Sequence, residues 1–384
     1  VIELDDRLSA LRARARAWSE DLRAIALDLD RDPATIERVL DLPAIEHIGL
    51  FQYPPRFQPG PLVLGGHRFH GDSAVEHVVF FEELARGDVG AMMAAPGAPM
   101  AGPLVALLGD EAQQESFFGR LRARPTWTFL ALTEPATGSD PAAMETRLRP
   151  DGDRFLLTGA KRYVGNATRA GPGVVFARTG PGPLGLCAVL VEGGDPGFTA
   201  TPLPTLGLRG AVLSAISLDS VELGPERLLG RHLSPARRGT WSWVRIFNRL
   251  RPAVAAMGLG IARAAHEYIG DHRRALSAAE RTRFDELARR IDAVRQLTLH
   301  AAVAVDANPA DGHLASAAKV RSAALAEEVT RAALDFFGAG ARFDHPLLDK
   351  LARDARGVEF MEGAGNVQKL GVYHHLARGR THHG

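Results

Sequence analysis

The chain has 384 residues, 46% of them apolar and 24% charged, with a formal net charge of +1 at pH 7. This composition excludes an intrinsically disordered chain and predicts two or three domains or one large composite unit. Near-neutrality removes any global field for nucleic acid or an anionic membrane, and the single cysteine, Cys187, excludes an intrachain disulfide and a cysteine-rich metal site.

No apolar stretch approaches the ~18 residues of a membrane span. The first residues, Val1-Ile2-Glu3-Leu4-Asp5-Asp6, are acidic and lack the layout of a signal peptide. The expectation is a cytoplasmic protein with no membrane or nucleic-acid partner. Lysine occurs only at positions 161, 319, 350 and 369, a bias that reads as genome composition.

Leu4, Leu8, Leu11, Ala15, Trp18, Leu22 and Ile25 recur at alternating spacings of four and three, one apolar face of a first helix that Asp32-Pro33 ends. A second helical pattern runs from Ile36 to Ile48 and stops at Gly49. A Pro- and Gly-rich loop from Tyr53 to Gly66 follows, then a helix from about Ser73 to Arg86. Ala94-Ala95-Pro96-Gly97-Ala98-Pro99 breaks any helix there, and another helix spans about Glu111 to Leu121.

From Trp127 the texture changes. Short runs rich in β-branched and apolar residues (Phe155–Leu157, Val174–Ala177, Leu186–Val191, Phe198–Thr201, Ala215–Leu223) alternate with Gly, Pro and Asp turns. That alternation predicts an antiparallel β-domain. Helical period returns near Pro235, with long helices around 252–274, 284–305 and 312–337. The fold class is therefore multidomain α+β: a helical domain over 1–125, a β-domain over 126–233 and a C-terminal four-helix bundle over 234–384.

Three segments carry chemistry. The loop Thr133-Glu134-Pro135-Ala136-Thr137-Gly138-Ser139-Asp140 has the small and hydroxyl residues that let backbone amides approach a ligand; locally it also reads as a plain surface turn. Gly159-Ala160-Lys161-Arg162-Tyr163-Val164-Gly165-Asn166 reads as a strand ended by a turn, with an aromatic able to cover a planar group or to fill a core. Near the C-terminus, Arg353-Asp354-Ala355 precedes Phe360-Met361-Glu362-Gly363. A carboxylate beside apolar side chains is pushed toward a neutral pKa, as a base for carbon acids requires; a solvated Glu at a helix end is the plainer reading.

Taken together, their order in a helical–β–helical chain resembles the acyl-CoA dehydrogenase family. The family's Thr-Glu-Pro-x-x-Gly-Ser-Asp is met at Thr133, Glu134, Pro135, Gly138, Ser139 and Asp140. Its Gly-x-Lys-x-Trp-Ile-Thr-Asn is met at Gly159, Lys161 and Asn166, with Tyr163 in the tryptophan's place. Its Arg-Asp-Ala and Glu-Gly-Thr are met at Arg353, Asp354, Ala355, Glu362 and Gly363. Phe247-Asn248-Arg249-Leu250-Arg251-Pro252 resembles the Arg-containing helix start near the thioester, and Gly109–Gln114 resembles a helix of the N-terminal domain.

The resemblance implies FAD as cofactor, with Leu130, Leu132, Thr133 and Ser139 lining the flavin and Tyr163, Val164 and Gly165 on its other side. It implies Glu362 as the base that removes the α-proton of an acyl-CoA or acyl carrier protein thioester while hydride passes to flavin N5. Ser139, Asn248, Arg251 and Gly363 would meet the substrate. Some relatives carry the base at the position of Leu250, which cannot titrate. The far end of a neighbouring subunit's FAD, in a homodimer or homotetramer, would fall to Arg273, Asp335, Gly338, Ala364 and Asn366. Several of these depart from the family: Asp335 stands for a Gln and Ala364 for a Thr. Electrons would go to an electron-transfer flavoprotein. An oxidase using O2 and a non-catalytic binding or scaffold protein are the alternatives. No metal site is expected, because His374, His375, His382 and His383 have no Cys or carboxylate at ligand spacing.

Overall fold

The computed structural model describes residues 1–140, 143–238, 240–377 and 379. Helix α1 (Asp6–Arg31) starts where the Asp5 side chain accepts from the Leu8 amide and stops at Asp32. The helix expected from Ile36 to Ile48 is two pieces, a 3-10 turn (Pro33–Arg38) and α2 (Pro43–Leu50). Pro43 has no N–H to continue a helix but suits the first helical position, so the chain restarts there. The expected loop at 53–66 ends in a hairpin of β1 (Leu62–Leu64) and β2 (His67–Phe69), turned by Gly65 and Gly66 at φ 56° and 83°. Helix α3 runs on to Ala94 (Ala74–Ala94). The break at Pro96–Pro99 is real, but α4 (Ala101–Leu108) follows it before α5 (Glu111–Ala123).

The β-domain is one seven-stranded sheet. Its strands are β3 (Phe129–Ala131), β4 (Arg147–Asp151), β5 (Arg154–Val164), β6 (Pro172–Arg178), β7 (Leu186–Glu192), β8 (Phe198–Pro202) and β9 (Ser214–Leu223). Most pairs are antiparallel as expected, but β3 and β4 run parallel to β6 along one edge while β7 takes the other, so the sheet is mixed. The order continues β4-β5-β9-β8. Cys187 lies in the core of β7 with its thiol pushed up to about 12 by burial.

The helices after the sheet are α6 (Pro235–Arg238), α7 (Thr240–His272), α8 (Ala278–Ala307), α9 (His313–Asp335), α10 (Ala341–Asp344), α11 (Pro346–Val358) and α12 (Gly365–Ala377). Residues 247–252 are not a helix start: Pro252 lies inside α7. Helices α1, α3, α7, α8, α9 and α11 share one continuous apolar core, so the two helical segments are packed as one body.

A buried charge cluster sits where they meet. Helix α3 leaves helical geometry at Asp88 (φ −161°, ψ 118°), and Asp88 Oδ1 then caps the second half by accepting from Ala91 N at 2.7 Å. The Gly87 carbonyl at the break accepts from Arg23 Nε at 2.7 Å. Gly87 is required here, because a Cβ would lie 2.2 Å from the Ser19 carbonyl of α1. Lys350 of α11 bridges Asp88 and Asp354, and all three side chains are at most 2% exposed. Burial works to lower the Lys350 pKa, but the two carboxylates outweigh it and raise it. Asp354 also accepts from the Leu208 amide at 2.6 Å, which fixes the loop between β8 and β9. Removing the cation leaves two buried carboxylates facing each other. Lys350→Met should therefore cost on the order of 3–5 kcal/mol in urea unfolding. Lys369→Met, at an exposed position, should stay within about 0.5 kcal/mol of the parent.

Candidate functional site

The loop after β3 is held from beneath by a buried ion pair. Lys161 of β5 is completely buried and places Nζ 2.9 Å from Glu134 Oε1 and 3.1 Å from the Leu132 carbonyl. Glu134 also accepts from the amides of Glu145 (2.6 Å) and Thr146 (2.8 Å). Burial pushes the Glu134 carboxyl up, but Thr146, the Glu145 amide and Lys161 outweigh it and hold it below the ordinary range. The Arg162 amide donates to the Thr133 carbonyl at 2.8 Å. Glu134 and Lys161 are thus the loop's fastening from beneath, and its outer face is turned to solvent.

On that face, Leu130, Leu132 and Thr133 are partly exposed and Ser139 is exposed. Thr137 Oγ1 is enclosed and has no partner. The β5–β9 register slips between Lys161 and Val164, and Tyr163 sits there at φ 62°. The irregularity turns the Tyr163 ring outward, 59% exposed, while Val164 points into the core at 2%. Gly165 leads into Asn166, whose side chain donates to the Met93 carbonyl at 3.0 Å and so ties the turn to α3. Asn166 is a framework residue.

The second group surrounds Glu362, in the turn between α11 and α12. Glu362 has φ 47° and Gly363 has φ 98°, so two successive residues are left-handed. A side chain at Gly363 would meet Gln368 Nε2 at 2.3 Å. Three side chains pin the turn's carbonyls. Lys319 of α9, completely buried, donates to the carbonyls of Glu359 (2.5 Å) and Gly363 (2.8 Å). Arg251 Nε and Gln368 Nε2 donate to the Glu362 carbonyl at 3.3 and 3.2 Å. Asn248 Oδ1 accepts from Arg251 at 2.6 Å, and its amide donates to the Pro309 carbonyl at 3.1 Å. Glu362 is partly exposed as a residue, yet its Oε2 is enclosed with no hydrogen-bond partner. Burial pushes the carboxyl up to about 7, against the lowering effect of Lys319 and Arg251.

The expected site residues thus fall into three places. Glu362, Gly363, Arg251 and Asn248 form one hydrogen-bonded unit. Leu250, next to Arg251, and Leu130, Leu132 and Tyr53 each pack against one apolar cluster. Asp335 and Gly338 line a separate cavity of about 360 Å³ with Leu334, Ala339, Ala341 and Arg342. Arg273 is not on that cavity and pairs with Glu280 at 2.8 Å, while Asp335 pairs with Arg283 at 2.8 Å. Ala364 and Asn366 belong to the Glu362 turn and the start of α12, and Asn366 is exposed. Arg353 serves the framework, with its guanidinium on Asp30 at 2.7 Å. Gln113 does likewise, donating from α5 to the Glu226 carbonyl at 2.6 Å.

Lys319 and Gln368 were missed in the sequence. Lysine's scarcity was the available signal: Lys161, Lys319 and Lys350 are all buried in the frame of the site, so composition bias does not account for where lysine remains. A compact ammonium fits such places where a guanidinium would not. His382 and His383 lie outside the described residues; His375 meets partners that its sequence neighbourhood does not show.

The chain runs helical, then β, then helical, with an enclosed carboxyl in the turn before α12 and an exposed loop after β3. The chain matches the acyl-CoA dehydrogenase middle domain over residues 130–221 and the acyl-CoA dehydrogenase C-terminal domain over 237–377. It is 30% identical to a cyclohexane-1-carbonyl-CoA dehydrogenase of Geobacter metallireducens over 274 residues, 68% of this chain and 71% of that one. It is 28% identical to a probable acyl-CoA dehydrogenase of Mycobacterium tuberculosis over 323 residues, 80% and 82% of the two. Its fold is similar to that of butyryl-CoA dehydrogenase from Megasphaera elsdenii, with a TM-score of 0.83 at 24% identity over 98% of this chain and 100% of that one. The chain belongs to the acyl-CoA dehydrogenase family, oxidoreductases that act on CH–CH bonds.

The elevated Glu362 pKa has a stability consequence. A carboxyl raised from 4.5 to about 7 in the folded state favours folding fully below the unfolded pKa and loses that contribution as pH rises through 7. Glu362→Gln should therefore be more stable than the parent at pH 8, by up to about 3 kcal/mol. The gap should close toward pH 4.5 when the two melting curves are compared.

Proposed function

We propose that this chain uses FAD to dehydrogenate an acyl thioester between Cα and Cβ, with Glu362 removing the α-proton. The observation that carries this reading is the enclosed, unpartnered Glu362 Oε2 on a turn held by Lys319, Arg251 and Gln368. A base for a weak carbon acid needs a pKa near the working pH and an oxygen with no competing donor, and Glu362 has both. Leu250 offers no rival base.

The sheet loop fits a flavin. Leu130, Leu132, Thr133 and Ser139 give it one lining and the outward Tyr163 ring with Gly165 the other, while the expected Val164 side chain is turned into the core; Thr137 Oγ1 is a polar atom in want of a partner. FAD held there supplies the two-electron acceptor for the β-hydrogen. The protein's part is to place the thioester, and Gly363 leaves room beside the base. The Glu362 N–H is the donor this reading assigns to the thioester carbonyl, where charge develops as the α-proton leaves. Ser139, Asn248 and Arg251 frame the substrate's path, Asn248 and Arg251 by holding the base turn. The acyl chain would lie on the apolar cluster of Tyr53, Leu132 and Leu250, reshaped by the break between α3 and α4. The thioester is carried by CoA or an acyl carrier protein, and electrons pass to an electron-transfer flavoprotein or to O2. A second copy of the chain would offer its Asp335–Gly338 cavity to the far end of the cofactor, giving a homodimer or homotetramer; Ala364 and Asn366 stand nearer the base.

Glu362→Gln should keep the flavin and lose substrate-induced bleaching, with turnover lower by about 10²–10⁴-fold. Parent kcat/KM should rise with pH through about 7 and then level, since the base acts deprotonated. Full activity in the variant would reassign the base. One observation favours a second reading, a flavin-free binding protein: Arg273 and Asp335 are already committed to Glu280 and Arg283. Purified protein that is colourless and takes up no added FAD would decide for it.

A further inference from the structure

Away from the reacting turn, Asp311 and His313 at the start of α9 meet His375 of α12. We propose that these three side chains form a binding site for a divalent transition metal such as Zn2+, which fastens α12 to α9.

His313 Nδ1 lies 2.7 Å from Asp311 Oδ1, and His375 Nδ1 lies 3.7 Å from the same oxygen. The two imidazoles are stacked at 3.9 Å with planes 10° apart. One ligand atom from each of the three residues falls within 4.8 Å of the others. Ligands on a single Zn2+, bonded at about 2.0–2.1 Å, stand roughly 3–3.5 Å apart, so the three atoms are near ligand spacing, and binding would tilt the two imidazoles out of their stack to aim at one ion. His375 Nε2 is enclosed without a partner and its Nδ1 makes only the long approach to Asp311, so this ring gains most from an ion. The three side chains are 16–20% exposed, which gives the metal an entry path and a fourth position for water. Two imidazoles and one carboxylate suit Zn2+, Co2+ or Ni2+ rather than Mg2+ or Ca2+.

The position explains what the metal would do. His313 is three residues before Ser316 on α9, and His375 is seven after Gln368 on α12, so both lie on the helix faces that already meet. There Ser316 Oγ donates to Gln368 Oε1 at 2.8 Å, and Gln368 holds the Glu362 carbonyl. The metal is a second fastening along the same contact, beyond the one that serves the base turn. Sequence spacing hid it, because His375 and Asp311 are brought together only by the packing of α12 on α9.

The test is zinc and cobalt titration of the full chain, stripped with a chelator and purified with its cofactor state unchanged. The expected result is one Zn2+ per chain at micromolar concentration, a raised melting temperature, and Co2+ bands of the intensity of a four- or five-coordinate site. His313→Gln and His375→Gln should each weaken binding by roughly tenfold or more and remove the thermal shift, with metal-free melting close to the parent's. His374→Gln and the double variant His382→Gln/His383→Gln should bind as the parent does. Absence of binding would overturn the proposal. So would the weak Co2+ spectrum of an octahedral aquo ion, or binding that follows His374, His382 or His383. None of these readouts uses turnover, so they stand or fall independently of the assigned base.

Discussion

Lys319 puts a completely buried ammonium between the carbonyls of Glu359 and Gly363, and the geometry of the base turn depends on it. The turn has two left-handed residues in a row, one of them Glu362. A non-glycine residue in that region persists only where its surroundings over-determine it. Here Lys319, Arg251 and Gln368 together bond three carbonyls within five residues, those of Glu359, Glu362 and Gly363. The same two cations moderate the carboxyl they hold: without them, enclosure alone would drive the Glu362 pKa above about 7. Shape and acidity are therefore set by one group of contacts.

That group needs a rigid support, and the support is the other buried lysines. Lys350 locks α11, which leads into the turn, onto the kink of α3 and the loop before β9. Lys161 locks the sheet loop through Glu134. Each is an ammonium whose burial is compensated by oxygen atoms, at least one of them placed by a different element, so its loss leaves buried polar atoms short of a partner. The Glu362 turn and the sheet loop are held separately, and Leu130, Leu132 and Leu250 all pack against one apolar cluster.

Much of this was legible in the sequence, and the misses have identifiable causes. Long helices with a steady apolar period were clear; Glu362, Gly363 and the Thr133–Asp140 loop stood out only through the family resemblance, since their local chemistry also suits a helix end and a surface turn. Pro43 and the Gly65-Gly66 pair are written plainly enough to have given the restart of α2 and the β1–β2 hairpin; a helical pattern and a loop label concealed them. The parallel pairing of β3 and β4 with β6 follows from tertiary arrangement that strand alternation does not encode. Arg353 and Asp354 entered only as motif letters ahead of Glu362, and the fold shows them serving the frame. Arg273, expected at the far end of a neighbouring subunit's cofactor, pairs with Glu280 within its own chain. Lys319 sits in an alanine-rich helix with nothing around it to mark a partner forty residues away.

The account rests on Glu362 being a protonated, enclosed carboxyl in the resting protein at slightly acidic pH. Difference infrared spectroscopy of the resting full chain against Glu362→Gln, followed across pH, reads that proton directly. The account predicts a carboxylic-acid C=O band present in the parent, missing in the variant, and lost with a midpoint near 7. A band that disappears in the ordinary glutamate range near 4.5 would mean that the turn does not enclose its carboxyl, and would contradict the assignment of the base.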